Sequence, residues 1–258
     1  MSEDQKPFLS VVIPAYNEGG RKGEELKKNL QEIGEYMRNN NFSYEVILVS
    51  DGSKDNTVDF VKGLVGLVDN KLQIIDRKEN KGKWYSVKEG FLASKGSYCL
   101  FTDADGATGI SNLDGFLPAI KKGAHILIGS RDLEASKIQK HQPLWKEIFG
   151  NMANILIQIL TGLYGIKDTQ CGFKVFSREV VDRIVPQLKV DRWGGDFELL
   201  SLAKKLHYEI IEIPVLWVDA GFSLVGASGM GGYMSTLKEL FQVKWRMIIG
   251  QYKIKKVK

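Results

Sequence analysis

The run Leu9-Ser10-Val11-Val12-Ile13 reads as a short β-branched strand that stops at Pro14, a residue unable to donate to a ladder, and a segment of helical period follows it. The pairing then recurs. Residues 24–37 place Leu26, Leu30, Ile33 and Met37 on one helical face, residues 45–50 read as a second strand, and residues 55–67 as a second helix. Residues 72–75, 97–102 and 124–129 read as further strands, with a helix over 84–94 between two of them. Such alternation predicts an α/β fold: a doubly wound, mostly parallel sheet with helices on both faces. A chain of 258 residues, 43% of them hydrophobic, can bury that core in one domain. No period repeats and no low-complexity linker intervenes, so the expectation is a main domain over 1–225 and a C-terminal extension over 226–258.

In open parallel sheets the ligand crevice forms at the carboxyl ends of the strands. Three of the expected strands end in polar clusters there: Pro14-Ala15-Tyr16-Asn17-Glu18, Ser50-Asp51-Gly52-Ser53 and Asp103-Ala104-Asp105-Gly106. A dinucleotide enzyme would carry G-x-G-x-x-G after its first strand and a P-loop enzyme a glycine-rich loop closed by Lys-Ser or Lys-Thr; neither occurs. Asp103 and Asp105, two residues apart, suit different chemistry, since they can present oxygens to a hard divalent cation, Mg²⁺ or Mn²⁺, that neutralises a diphosphate. Alone, such a pair often only caps a turn. The apolar strand before it and the matching polar strand ends favour the metal.

Charge and polarity bound the partners. The net charge is +5, but acidic residues run along most of the chain, which excludes a uniformly basic nucleic-acid binder. The excess gathers after Lys238, beside Met234, Leu237, Leu240, Phe241, Trp245, Ile248, Ile249 and Tyr252, a pattern suited to an anionic membrane surface. Residues 148–166 contain no charge and approach membrane-spanning length, yet Asn151, Asn154 and Gln158 form a polar stripe. A helix lying on the membrane or on the core fits better than one that crosses, and packing against a second protomer is the competing reading. The first residues hold no apolar signal segment, Cys99 and Cys171 lack metal spacing, and His125, His141 and His207 are scattered. Together these place the chain in a reducing cytoplasm, peripheral to a membrane.

Seven blocks in order, VVIPAYNE (11–18), VSDGSKDNT (49–57), NKGK (80–83), FTDADGAT (101–108), GSR (129–131), DTQCGFKVF (168–176) and RWGGDFELL (192–200), make the chain resemble family 2 glycosyltransferases of the GT-A fold. The likeness runs to the branch that charges polyprenyl phosphates. DADGAT, DTQCGFK and the RW…D-x-E-L block look closer to its dolichyl-phosphate glucosyl members than to its mannosyl ones. The resemblance implies a GT-A sheet and inverting transfer of a sugar, glucose first, from a UDP-sugar to polyprenyl or dolichyl phosphate at the cytoplasmic membrane face. The alternatives are a soluble glycan, protein or small-molecule acceptor, or a GDP-mannose donor. A nucleotidyltransferase is disfavoured by the missing glycine-rich loop.

Site roles follow from the same resemblance. Pro14, Ala15, Tyr16, Asn17 and Glu18 line the nucleotide pocket, with Tyr16 near base or ribose. Asp51 accepts from a uracil imide or, alternatively, caps the following helix. Lys83 meets the diphosphate, although Trp84-Tyr85-Ser86 stand where the family has a glycine and small residues. Asp103, Ala104 and Asp105 hold metal and donor, and Arg131 can clamp two phosphate oxygens. Asp168 and Asp196 are the acidic candidates for a catalytic base, each with a structural alternative in a turn or a helix cap, and Glu198 is expected on the helix surface or behind the site. Residues 131–149, with Lys137, Lys140, His141 and Lys146, suit a loop over the acceptor phosphate.

Overall fold

The computed structural model describes residues 6–20, 22–138, 154–218 and 229–253. Its centre is a seven-stranded sheet in the order β3-β2-β1-β4-β7-β5-β8. The strands are β1 (Leu9–Ala15), β2 (Tyr44–Ser50), β3 (Leu72–Asp76), β4 (Tyr98–Thr102), β5 (Ile126–Ser130), β7 (Phe173–Ser177) and β8 (Ile210–Pro214). A separate parallel pair joins β6 (Lys137–Ile138) to β9 (Leu216–Trp217). The helices are α1 (Gly23–Asn39), α2 (Thr57–Lys62), α3 (Lys83–Ala93), α4 (Leu113–Lys121), the helical residues 154–161 (α5), α6 (Arg178–Ile184), α7 (Gly195–Lys205) and α8 (Gly229–Ile248).

Central strands buried on both faces explain the near-continuous apolar text of β1 and β2. Their side chains alternate. Leu9, Val11 and Ile13 join the core under α1 and α4, while Val12 joins the opposite core with Trp84 and Phe91 of α3 and Phe197 and Leu200 of α7. From β1 the chain winds outward through β2 and β3, then crosses back along α3 to β4 on the other side of β1. That reversal opens the crevice where the ends of β1, β2 and β4 meet.

One strand absent from the sequence reading, β7, runs antiparallel between β4 and β5. A lysine in the middle of Phe173-Lys174-Val175-Phe176 hides this strand from apolar patterning, although all five residues of β7 are buried. The helix expected over 55–67 is broken: α2 stops at Lys62 and a 3₁₀ turn covers Val65–Val68. Gly63 and Gly66 fall inside it, and glycine is a poor helix former.

The uncharged segment divides similarly. α5 ends at residue 161, and Gly162 follows at φ +75°. Asn154 and Gln158 of its amide stripe donate to the carbonyls of Lys167 and Ile166, so they tie down the loop after α5 rather than face a headgroup. Asn151 lies outside the described residues. Ile157 is buried, and Ile155 and Ile159 are exposed.

In α8, Leu240 and Val243 belong to the core, as does Tyr252 beyond its end, which corrects the expectation that Leu240 and Tyr252 lie on the outward apolar face. The exposed face consists of Met234, Phe241, Trp245 and Ile248, with Ile249 just beyond. None of the described helices is long and apolar enough to cross a membrane.

Candidate active site

The turn after β4 carries Asp103, Ala104 and Asp105. Asp105 Oδ1 accepts from Ala107 N at 3.0 Å, and Gly106 takes φ +63° to make the turn. Asn29 of α1, 2% exposed, braces it from below by donating Nδ2 to the carbonyls of Asp103 (3.0 Å) and Ala104 (3.3 Å). Gly172, just before β7, presses on Asp103 so closely that a Cβ there would sit 1.9 Å from Oδ2. The motif is thus held by α1 on one face and by the neighbouring strand β7 at its edge.

Its electrostatics are unbalanced. Burial raises the Asp105 carboxyl above its ordinary range, and Asp103 pushes it further in the same direction. Glu18 is raised chiefly by burial, with Asp105 and Asp55 adding to it against Lys22 at 3.5 Å. Lys83 Nζ lies 2.6 Å from Asp103 Oδ1. Burial works to lower the Lys83 ammonium, but Asp103, Asp196 and Asp105 outweigh it and hold the group above its ordinary value.

Among the described residues no cluster of three or more Asp, Glu, His or Cys could by itself cage a metal. Two carboxylates with diphosphate oxygens and water are nevertheless the usual complement for Mg²⁺ bound to a nucleotide. The surplus of negative charge at Asp103 and Asp105 fits that complement.

Two loops close the neighbouring wall. Asn17, at φ +54°, donates its N–H to Ser53 Oγ at 3.1 Å and accepts from Lys54 N at 2.8 Å; Glu18 N donates to Thr57 Oγ1 at 2.8 Å. Pro14 and Ala15 are buried in β1, and Tyr16 beyond them is half-buried. Asp51 does not cap α2, where Asp55 Oδ1 receives the Thr57 N–H. Its two oxygens accept instead from Lys81 N and Gly82 N, each at 2.8 Å, and from Arg77. Arg77 also reaches Ser86 Oγ (2.7 Å) and Glu89 (2.9 Å). Asp51 therefore shapes the turn that delivers Lys83 to the first position of α3.

The remaining acidic candidates are locked. Asp168, 4% exposed, accepts from Arg131 Nε (2.7 Å), Nη2 (3.0 Å) and backbone N (3.0 Å), and from Gln170 N and Cys171 N. Burial alone would raise its carboxyl, but Arg131 overrides that and holds it at about 2. Asp196 lies in the first turn of α7 without capping it. It accepts from Lys174 Nζ at 2.6 Å through Oδ1 and from Trp84 Nε1 at 2.8 Å through Oδ2. Glu198 is fully buried rather than on the helix surface, bound to Lys189 N, Val190 N and Tyr252 OH.

Sequence reasoning missed Lys174, Trp84, Asn29 and Arg77. Asn29 had a signal, since it falls between Leu26 and Ile33 on the buried face of α1. Trp84 explains the departure after Lys83: its indole packs on Gly195, where a Cβ would meet the ring at 2.2 Å, and its N–H satisfies Asp196. Residues 139–149 of the expected acceptor loop, His141 included, lie outside the described residues. His125 bonds Ser177 Oγ at 2.9 Å, and Cys99 and Cys171 are buried free thiols.

Comparisons with known proteins bear on the family and the fold. The glycosyl transferase family 2 profile matches residues 10–185. The chain is 36% identical to a dolichyl-phosphate beta-glucosyltransferase of Dictyostelium discoideum, covering 96% of this chain and 77% of that one. It is 31% identical to the Homo sapiens protein of the same name, over 97% and 79%. Among solved structures, a mannosyltransferase of Pyrobaculum calidifontis in complex with GDP-Man and Mn²⁺ superposes with a TM-score of 0.61 at 18% identity, covering 98% of this chain and 67% of that one. A glucosyl-3-phosphoglycerate synthase of Mycobacterium tuberculosis with Mn²⁺ and UDP-glucose gives 0.61 at 15%, covering 91% and 79%.

Proposed function

The chain belongs to glycosyl transferase family 2, and from that premise we propose that it transfers glucose from UDP-glucose to dolichyl phosphate, inverting the anomeric centre, at a membrane surface. The observation that carries the reading is the turn of Asp103 and Asp105, where half-buried, mutually repelling carboxylates stand beside Lys83 at the crevice. Asp103 and Asp105 would hold Mg²⁺ or Mn²⁺, which supplies positive charge to the diphosphate as it leaves. Lys83 adds a second cation for the same diphosphate. Glu18, Asn17 and Tyr16 shape the nucleoside side, and Asp51 contributes by fixing the turn that carries Lys83.

Attack needs no protein base, because a phosphate monoester is already an anion at neutral pH. The state of the two candidate acids supports this: every oxygen of Asp168 and Asp196 already accepts from an in-chain donor. Arg131 gives Nε–H and one Nη2–H to Asp168, which leaves its second Nη2–H and both Nη1–H groups to hold phosphate oxygens end-on.

The membrane surface is supported by the exposed apolar residues Phe241, Trp245 and Ile248 of α8. Beside them, Ile159, Tyr164, Lys205 and Lys244 line a shallow cleft. Aromatic and basic side chains together favour the headgroup region.

The test is incubation with labelled UDP-glucose, UDP-galactose, UDP-N-acetylglucosamine or GDP-mannose plus dolichyl phosphate, followed by organic extraction. Label should enter the lipid phase from UDP-glucose. Transfer from GDP-mannose alone, or label passing only to a water-soluble acceptor, would overturn the assignment.

A further inference from the structure

Glu239 lies on the inward side of α8, 9% exposed, and its Oε2 accepts from Trp193 N at 3.0 Å and Gly194 N at 2.8 Å. These amides stand at the N-terminal end of α7, where a helix has no internal acceptors for its first N–H groups and where negative charge is favoured. Gly194, the N-cap residue of α7, has no side chain with which to cap it. A carboxylate from a helix 45 residues further along the chain supplies the acceptor instead.

The segment so held packs against the start of α3, next to Lys83. Arg192 and Asp191 accept through their carbonyls from Trp84 N (3.2 Å) and Tyr85 N (2.9 Å), joining it to the start of α3. One residue past the capped amides, Gly195 bears on the Trp84 indole, and Asp196 takes the indole N–H. Lys83, the neighbour of Trp84, reaches Asp103 and stands 5.9 Å from the Trp193 ring. α8 and the residues after it also hold the chain on either side of that turn, Arg246 Nη1 on Lys189 O at 3.2 Å and Tyr252 OH on Glu198 at 2.6 Å. The outward side of the same helix is the apolar face of Phe241, Trp245 and Ile248.

We propose that Glu239 is a positioning residue for donor binding: by capping α7 from α8 it sets the Trp193–Asp196 turn, and through Trp84 it sets where Lys83 meets the diphosphate. It touches no substrate. The inference rests on the assignment of Asp103 and Lys83 to the donor diphosphate, and it extends that assignment to a residue of the C-terminal helix.

The experiment is calorimetric titration of the full chain with UDP in the presence of Mn²⁺, with thermal midpoints recorded alongside. Glu239→Ala leaves two amides without an acceptor and is expected to weaken UDP binding about tenfold at a temperature well below its midpoint. Glu239→Gln offers one amide oxygen to the same two N–H groups and should recover affinity to within about threefold of the native chain. Glu239→Asp, which withdraws the oxygen by one methylene, should fall between them and serves if the alanine variant does not fold. Tyr252→Phe, which loosens the same region without touching the cap, should lower the midpoint and leave UDP affinity unchanged.

Native affinity in folded Glu239→Ala or Glu239→Asp overturns the inference, as does a glutamine variant no better than alanine or an equal loss of affinity in Tyr252→Phe. A native chain that binds neither UDP nor GDP overturns the donor assignment itself, and this inference with it.

Discussion

Asp168 and Asp196 differ from Asp103 and Asp105 in what neutralises them. The first two each have a cation in a direct ion pair, Arg131 or Lys174, and a donor on each oxygen. The second two share Lys83, and Asp105 is held above its ordinary range by burial and by Asp103. A saturated carboxylate is part of the scaffold. One left short of positive charge destabilises the fold until a cation binds, which is the condition expected of a ligand site.

The largest effect should come from breaking a saturated pair. Lys174→Met leaves Asp196 buried without its ion-pair partner and is expected to cost about 3–5 kcal/mol in denaturant unfolding. A loss below about 1 kcal/mol would mean that Asp196 is not locked, and the contrast between the two sets would fail.

Next in size is Asp105→Ala, expected to lower turnover by about a hundredfold, worth about 2.7 kcal/mol, with the thermal midpoint unchanged or raised because a repulsion is removed. Full activity of this variant in chelator would contradict the role of the pair.

The smallest effect is acid stability. Asp168 is held at about 2 against an ordinary 3.8, so its contribution is complete above the ordinary value and is lost as the pH falls from about 4 to 2. The amount is about 2 kcal/mol. Asp168→Asn should remove that part of the acid dependence in melting curves taken across this range. Asp105, raised in the fold, has the opposite sign: its protonation on acidification favours the folded state.

The same contrast separates what could be read in the sequence from what could not. Asp103 and Asp105 were legible because strand text followed directly by acidic turn residues is a local pattern, as were the ends of β1 and β2. The partners were not. Lys174 is brought to Asp196 by β7 inserting antiparallel between β4 and β5, and Arg131 to Asp168 across 37 residues. Neither pairing has a local period. Lys174 also disguised its own strand, since a charge in the middle of Phe173–Phe176 breaks the apolar run that marks a buried strand. α8 was half legible. Its amphipathic period was evident, but which apolar residues turn inward depends on where Glu239, Arg246 and the following Tyr252 find acceptors or donors on the segment before and within α7.

Under this reading the under-neutralised pair receives the donor diphosphate together with a divalent cation. Calorimetric titration of the native chain with UDP and with GDP, each with Mn²⁺ and again in chelator, tests that most directly when repeated on Asp103→Ala. UDP should bind more tightly than GDP, only with the cation present, and not measurably to the variant. Equal UDP binding in chelator, undiminished binding by Asp103→Ala, or tighter binding of GDP would contradict it.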